Sequence, residues 1–539
     1  MKKITIFFFL FVVNHIAAQV STPINTRLRG FFPKTEFNIT TGSNICGYAT
    51  NGREYALYGH SKGMSIIDVT NPDLPVIIHT IPALASAWRE IKVYKNYAYV
   101  TTEALGQGLQ IVDMAGLPAT IAVKTYSGTD SVLNVINKVH SLHIDTAKGN
   151  VYLFGGSSSF SDNVTSSGAT ILSLKDPWNP KYIGRFSTLY IHDGYVNNDT
   201  LFASHVYDGS FSIIDFKDKS NPKTLSTTKT PTAFTHNTWI SKSGKYIFTT
   251  DENAGSYLGA YDVSNPQLPV LVDKLRSAAK ENAIIHNTHI LGDYAITSWY
   301  GEGIVITDVS RPQNMVNVAQ FDTYNGSIAG FVGCWGVYPY LPSGNLVISN
   351  YTGEFYVVTP TYKRACYLEG NVIDSITRQP LSSVTVKIES SDMEKETVSK
   401  LLGDYYTGQV TSGTFQVTYS KTGFRPKTVS VTLQNGQIVL KNIELAPIGS
   451  PTLDVNDKWN IAAYPNPFGQ TLTLNYQLDN IKETKVLTIS NISGQVLHAQ
   501  KIDNNEGVVS INQNWANGVY FVKIQTATFT SRILRIVKQ

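Results

Sequence analysis

Gly63-Met-Ser-Ile-Ile-Asp68-Val-Thr-Asn-Pro72 is a short apolar run closed by an Asp and an Asn-Pro turn, and it recurs along the chain. It returns as Gly108-Leu-Gln-Ile-Val-Asp113-Met, and as Gly168-Ala-Thr-Ile-Leu-Ser173 ahead of Trp178-Asn-Pro180. It returns again as Gly209-Ser-Phe-Ser-Ile-Ile-Asp215-Phe followed by Ser220-Asn-Pro222. Leu258-Gly-Ala-Tyr-Asp262-Val-Ser-Asn-Pro266 and Gly303-Ile-Val-Ile-Thr-Asp308-Val-Ser-Arg-Pro312 come next, and Gly353-Glu-Phe-Tyr-Val-Val358 is a degenerate last copy. The closing positions 68, 113, 173, 215, 262, 308 and 358 are separated by 45, 60, 42, 47, 46 and 50 residues. A period near 45 made of short β-rich runs is the pattern of a propeller, with one four-stranded blade per repeat. Seven copies give a seven-bladed β-propeller.

The second repeat shows the strands of one blade: Glu90 to Tyr94, Tyr97 to Thr102, Gly108 to Met114 and Thr120 to Tyr126. Each run is β-branched or aromatic and bounded by Gly, Asn or Pro. Asp68 and its equivalents precede the turn, where a carboxylate accepts hydrogen bonds from turn amides. The last repeat has only three strands of its own, so Arg27 to Phe32 is expected to supply its fourth and close the ring.

With 539 residues, 16% of them charged, 30 tyrosines and 23 phenylalanines, the chain reads as a β-rich exported protein of several domains. A net charge of +4 gives no case for nucleic acid, and three cysteines exclude a disulfide scaffold. Lys2 and Lys3 followed by the apolar Ile4 to Val13 form a secretory signal, with cleavage expected after Ala18. No later stretch reaches the roughly 20 apolar residues of a spanning helix, so no transmembrane segment is expected.

The repeats resemble the LVIVD repeat of the choice-of-anchor B family of exported bacterial proteins, through Ser65-Ile-Ile-Asp-Val69, Gln110-Ile-Val-Asp-Met114, Ser212-Ile-Ile-Asp-Phe216 and Val305-Ile-Thr-Asp-Val309. That likeness implies the fold and leaves the ligand open. Further on, Gly370-Asn-Val-Ile-Asp374, Gln379-Pro-Leu381, Gly403-Asp-Tyr-Tyr406 and Gly413-Thr-Phe415 resemble a carboxypeptidase regulatory-like domain. The resemblance implies a small β-sandwich without peptidase chemistry, serving as a spacer. Ala463-Tyr-Pro-Asn-Pro-Phe468, Leu487-Thr-Ile-Ser-Asn-Ile-Ser-Gly494, Trp515-Ala-Asn-Gly-Val-Tyr520 and Ser531 to Lys538 are similar to the type A C-terminal sorting domain of the type IX secretion system of Bacteroidetes. This similarity implies passage across the outer membrane, followed by release or surface attachment. The implied partners are the type IX machinery and its sorting peptidase.

The expected organisation is therefore all-β: signal peptide 1–18, propeller 19–362, β-sandwich 363–447, linker 448–458 and a second β-sandwich, the sorting domain, 459–539.

Aligned at the starts of their first strands, the seven repeats read Cys46, Trp88, His140, His192, His236, His286 and Cys334. In a propeller the first strand lines the channel, so four histidines on consecutive blades converge on one mouth. The loops between second and third strands share that mouth and add His205, Glu252, Trp299 and Tyr300. These eight residues, from His140 to Tyr300, are the candidate ligand-binding set for an extracellular glycan or peptide.

Three readings stand for the imidazoles: backbone partners that hold the ring in register, ligand binders, or ligands of a divalent transition metal cofactor through His192, His236 and His286. The third implies an enzyme acting on extracellular polysaccharide. A passive structural surface protein would instead have a plugged mouth and no pocket. No Gly-x-Ser-x-Gly, His-Glu-x-x-His or phosphate loop is present, so no catalytic residue is assigned and the balance is against an enzyme. Asp251 and Glu252 are adjacent on a strand and point to opposite faces. Cys46 and Cys334 open the first and last repeats in an export context, so a disulfide latching the ring is expected between them.

Overall fold

In the computed structural model the described residues are 22–539 apart from 130–134, 157, 160–164, 167, 278–281, 327–329, 390–392, 394, 396, 449–453 and 456–458. The signal-peptide expectation lies outside them. The chain forms two compact units. The first comprises 1–373, 379–420 and 426–444, and the second 374–378, 421–425 and 445–539.

The repeats of the first unit fold into seven four-stranded antiparallel sheets, six of them simple up-and-down meanders. Their innermost strands are Gly42–Thr50, Ile91–Tyr94, Ser141–Asp145, Asp193–Asn197, Thr235–Ile240, Thr288–Leu291 and Cys334–Tyr338. These strands pack side by side, and Gly42–Thr50 packs on Cys334–Tyr338, so the ring closes. The last sheet is completed from the other end of the propeller: Thr26–Phe32 pairs antiparallel with Phe355–Pro360.

The recurrent Ile-Ile pairs follow from burial on both faces. Ile66 joins a cluster with Leu57 and Ile91, between the first and second sheets. Its neighbour Ile67 joins Tyr58 and Val357, between the first and the last. Such clusters lie between every neighbouring pair of sheets, from Tyr99–Leu142 to Ile306–Val358. At the end of five of the seven third strands an Asp closes a turn by accepting the backbone N–H two residues on. Asp68 takes it from Thr70 at 3.0 Å, Asp215 from Lys217 at 2.8 Å, and Asp262 from Ser264 at 2.8 Å.

Residues 366–445 form a four-stranded sheet facing a three-stranded one. Within the first unit they are held against the propeller by polar contacts. Arg311 reaches Glu369 with two 2.9 Å hydrogen bonds, Asn314 donates to Glu369 and to the Thr407 carbonyl, and Lys395 meets Asp273 at 3.1 Å. A spacer free to swing would not carry this many buried polar contacts. In the second unit, a six-stranded and a three-stranded sheet enclose Leu474, Leu487, Ile489, Val522 and Ile536.

The expected disulfide is not formed: Cys46, Cys334 and Cys366 are free, buried thiols. Cys46 packs between the first and second sheets with Leu57 and Ile91, whereas Cys334 packs between the sixth and last sheets with Ile304 and Val337. The two face different interfaces, and nothing aims one at the other.

Candidate functional site

The register at the channel differs from the sequence alignment, because β-bulges interrupt the innermost strands at Gly42/Ile45, Thr235/Asn237 and Cys334/Gly336. The positions equivalent to the histidines are Ser43, Arg89 and Trp335, not Cys46, Trp88 and Cys334. Asn44, Arg89, Glu90, His140, His192, His236, Glu252, His286, Asn287 and Trp335 line one cavity, with Trp88 at its edge.

The four imidazoles form an arc. Ring centroids are 4.0 Å apart for His140–His192, 4.5 Å for His192–His236 and 4.4 Å for His236–His286. Their Nδ1 atoms face outward to supporting groups. Those of His140, His192 and His286 meet Glu103 Oε1 at 2.6 Å, the Tyr190 hydroxyl at 3.2 Å and the Trp335 carbonyl at 2.5 Å. His236 Nδ1 is buried beside Asn287, whose Oδ1 also has no partner; the two interact without closing a well-formed hydrogen bond.

The Nε2 atoms turn the other way. His140 and His192 bring theirs to 3.0 Å of each other. Those of His236 and His286 approach the Glu252 carboxyl at 3.7 and 3.6 Å. Glu252 in turn accepts the Tyr300 hydroxyl at 2.5 Å. Beneath the histidines a polar belt ties the sheets together: Ser141 and Asn237 both donate to Asp193, at 2.8 Å each, and Asn44 donates to Glu90.

Burial sets the charge state. It holds His192 and His236 well below the ordinary imidazole range, reinforced by the neighbouring rings, and takes His286 down to about 3. It also pushes the Glu252 carboxyl up to about 8, against the pull of the Tyr300 bond. With His192, His236 and His286 neutral and the Glu252 carboxyl protonated at pH 7, the Glu252 approaches are not ion pairs. Glu252 is a latent carboxylate beside three neutral imidazoles.

A few residues deeper, the channel is filled by a second, aromatic layer. His143 packs on Tyr195 at 4.6 Å, Tyr195 on Trp239 at 4.7 Å, and Trp239 on His289 at 4.5 Å, with Tyr340 beside His289 at 5.8 Å. This layer floors the mouth. The space above it is about 60 Å³. That admits a few waters or a hydrated ion, and falls well short of the roughly 300–1,000 Å³ of a small-molecule pocket. A sugar or peptide therefore fits only at the rim. There Trp88, Tyr207 and Phe331 are 45, 78 and 50% exposed. Tyr207 lies 4.9 Å from Tyr190, and Phe331 5.2 Å from Tyr300, ring to ring.

Of the candidate set, His140, His192, His236, His286 and Glu252 come together, with Tyr300 supporting Glu252. Two members do not join them. His205 is buried with both nitrogens engaged, on the Tyr190 carbonyl and the Ser212 hydroxyl. Trp299 faces the apolar interface between the fifth and sixth sheets, against Phe248 and Leu258. Asp251 points away and accepts from Thr232, so of this adjacent pair only Glu252 reaches the mouth. Missed in the sequence were Tyr190 as a support, and Arg89 and Glu90 as lining.

Residues 87–124 and 286–323 match the LVIVD repeat, residues 367–446 the carboxypeptidase regulatory-like domain, and residues 462–539 the secretion system C-terminal sorting domain. The sorting domain indicates export across the outer membrane, to the cell surface or beyond, and engagement with the type IX secretion machinery. Among the described residues, no helix is long and apolar enough to cross a membrane. No curated protein matches the chain. Among solved structures, the β-propeller domain of Cps50 (Swd1) from Myceliophteria thermophila is similar at 10% identity, over 62% of this chain and 100% of that one, with a TM-score of 0.41.

Proposed function

We propose that this exported protein is a non-catalytic binding module that takes an extracellular glycan or peptide on the rim of its histidine-lined mouth. The observation that supports this most is a polar cavity edged by the exposed Trp88, with the exposed Tyr207 and Phe331 packed on Tyr190 and Tyr300, the partners of His192 and Glu252. Exposed rings around a polar centre suit a ligand with apolar faces and hydrogen-bonding edges. The sandwich, spanning 363–447 in this reading, is a rigid buttress on the propeller 19–362. The segment 459–539 is the export address.

A second reading, an enzyme acting on polysaccharide, is favoured by one feature: a carboxyl group set among the imidazoles of the mouth. The passive structural reading is disfavoured by the open space above the aromatic layer.

Glycan and peptide arrays probed with the mature protein test the proposal. Trp88→Ala and Tyr207→Ala should each weaken a captured ligand tenfold or more, about 1.4 kcal/mol. Binding unaffected by both would move the ligand off this face, and capture of no glycan or peptide would overturn the reading.

A further inference from the structure

We infer that the mouth holds one divalent transition metal ion, bound by His192, His236 and Glu252, with one position left for water. This deepens the binding reading and rests on it only for the location of the mouth, since the ion needs neither glycan nor peptide.

The geometry comes first. One ligand atom from each of His192, His236 and Glu252 lies within 4.8 Å of the other two, the one such group among the described residues. Two atoms each about 2.1 Å from an ion stand about 3.4 Å apart in a tetrahedron, and at most about 4.2 Å apart in any geometry. The observed His236–Glu252 approach of 3.7 Å is already in that range. Reaching tetrahedral spacing from the group's outer bound of 4.8 Å needs a contraction of up to about 1.4 Å, within reach of side-chain rotation.

The surroundings carry the argument further. An imidazole that ligates through Nε2 needs its Nδ1–H donated to a fixed acceptor, which sets the tautomer and aims the ring. Three of the four rings have a group there able to accept it: Glu103 for His140, the Tyr190 hydroxyl for His192 and the Trp335 carbonyl for His286. The fourth has it within reach, as His236 Nδ1 and Asn287 Oδ1 are both buried and unsatisfied. Rings serving only to bond neighbouring backbone would spread their nitrogens over both roles. Here the outward atoms are committed and the inward ones gather.

The chemistry of the set then selects the ion. Two imidazoles and a carboxylate suit zinc or another mid-series divalent cation, and exclude calcium, which takes oxygen ligands. His140 and His286 flank the group, but four imidazoles on an arc this long cannot all reach one centre. The cavity of about 60 Å³ leaves room for water in the open position. Three protein ligands with one exchangeable site is the arrangement found where a metal meets a ligand or substrate; closed four-ligand sites are structural.

The test uses the full mature chain, stripped with chelator and titrated with Zn²⁺ in the absence of any glycan or peptide. Stoichiometry is read by elemental analysis and affinity by calorimetry. About one ion per chain is expected. His236→Ala and Glu252→Gln should each lower affinity at least tenfold, while His79→Gln, on the outermost strand of the first sheet, should leave it unchanged.

Co²⁺ in place of zinc should give the intense visible bands of a four- or five-coordinate site, a readout that needs no variant to fold. Absence of stoichiometric metal in the wild-type chain overturns the inference, as does full retention of the ion by a folded His192→Ala, His236→Ala variant. Arrays run on the stripped protein separate the two readings: ligand capture without metal uptake sinks only the ion, and metal uptake without ligand capture sinks only the rim.

Discussion

His289 sits in the aromatic layer between Trp239 and Tyr340, and burial, with the charge of Lys92, takes its pKa down to about 3. His60 is held at about 4 by burial and by the charges of Arg89 and Lys62. In the unfolded chain both would titrate near 6.5. Between those values the unfolded chain binds protons that the folded one refuses. Stability is therefore intact above pH 6.5 and falls as the pH drops toward the folded values, by about 1.4 kcal/mol per pH unit for each ring. Urea unfolding at pH 7 and pH 4.5 should show this loss. His289→Phe, which keeps an aromatic ring in the layer, should reduce it by about 2.5 kcal/mol. An unchanged pH dependence would mean that His289 is already protonated or solvated in the fold. The histidines at the mouth were legible in the sequence because they recur at one repeat position. His205 and Trp299 misled because side chains at a strand end alternate between faces, and an error of one residue moves a side chain from the mouth to a sheet interface.

The third strands of the first and sixth sheets begin at a glycine for a reason that can be tested. Gly303 has φ +78°, and a Cβ there would lie 2.0 Å from the Phe321 carbonyl oxygen. Gly63 has φ +141° and would meet the Ile81 oxygen at the same distance. Both the backbone conformation and the close strand approach exclude a side chain. Gly303→Ala should cost about 3 kcal/mol or more, from left-handed strain plus displacement of the neighbouring strand, measured as a shift in the chemical denaturation midpoint. The exposed turn is a milder case: Asp262→Ala loses one accepted N–H bond from Ser264 and should cost about 1 kcal/mol.

These local rules made the repeat readable: a glycine where strands approach, paired apolar residues where both faces are buried, and an Asp where the chain turns. The innermost strands were not readable to the residue. A bulge adds one residue to one strand without any distinctive composition. The bulges at Gly42/Ile45 and Cys334/Gly336 are where the alignment placed Cys46 and Cys334 at the wrong height. The expected disulfide came from that misplacement.

Closure of the ring brings together segments more than three hundred residues apart, and with every cysteine free it rests on non-covalent pairing. Thr26–Phe32 contributes the outer strand of the last sheet, pairing from Thr26↔Pro360 to Phe32↔Phe355. Its approach is fixed further by Asn25 and Thr26, which donate to the Val318 and Gln320 carbonyls of the sixth sheet at 2.7 Å each. Removing 22–32 would leave Phe355–Pro360 as an unpaired edge, with the rings of Phe355 and Tyr356 losing their contacts to Phe32 and Phe31. An open edge of that kind pairs with other chains.

A chain starting at residue 33 should therefore unfold over a broader transition, bind a hydrophobic dye and associate at micromolar concentration. A peptide of residues 22–32 added in trans should reverse all three by re-forming the sheet. A truncated chain that stays monomeric, with a sharp transition at the full-length midpoint, would show that the seven innermost strands hold the ring without the terminal strand. It would also mean that the mouth does not depend on closure at the last sheet. If the strand is required, loss of closure should loosen the mouth too: the last sheet supplies the Trp335 carbonyl that aims His286, so metal uptake by the truncated chain should fall with its stability and return with the peptide.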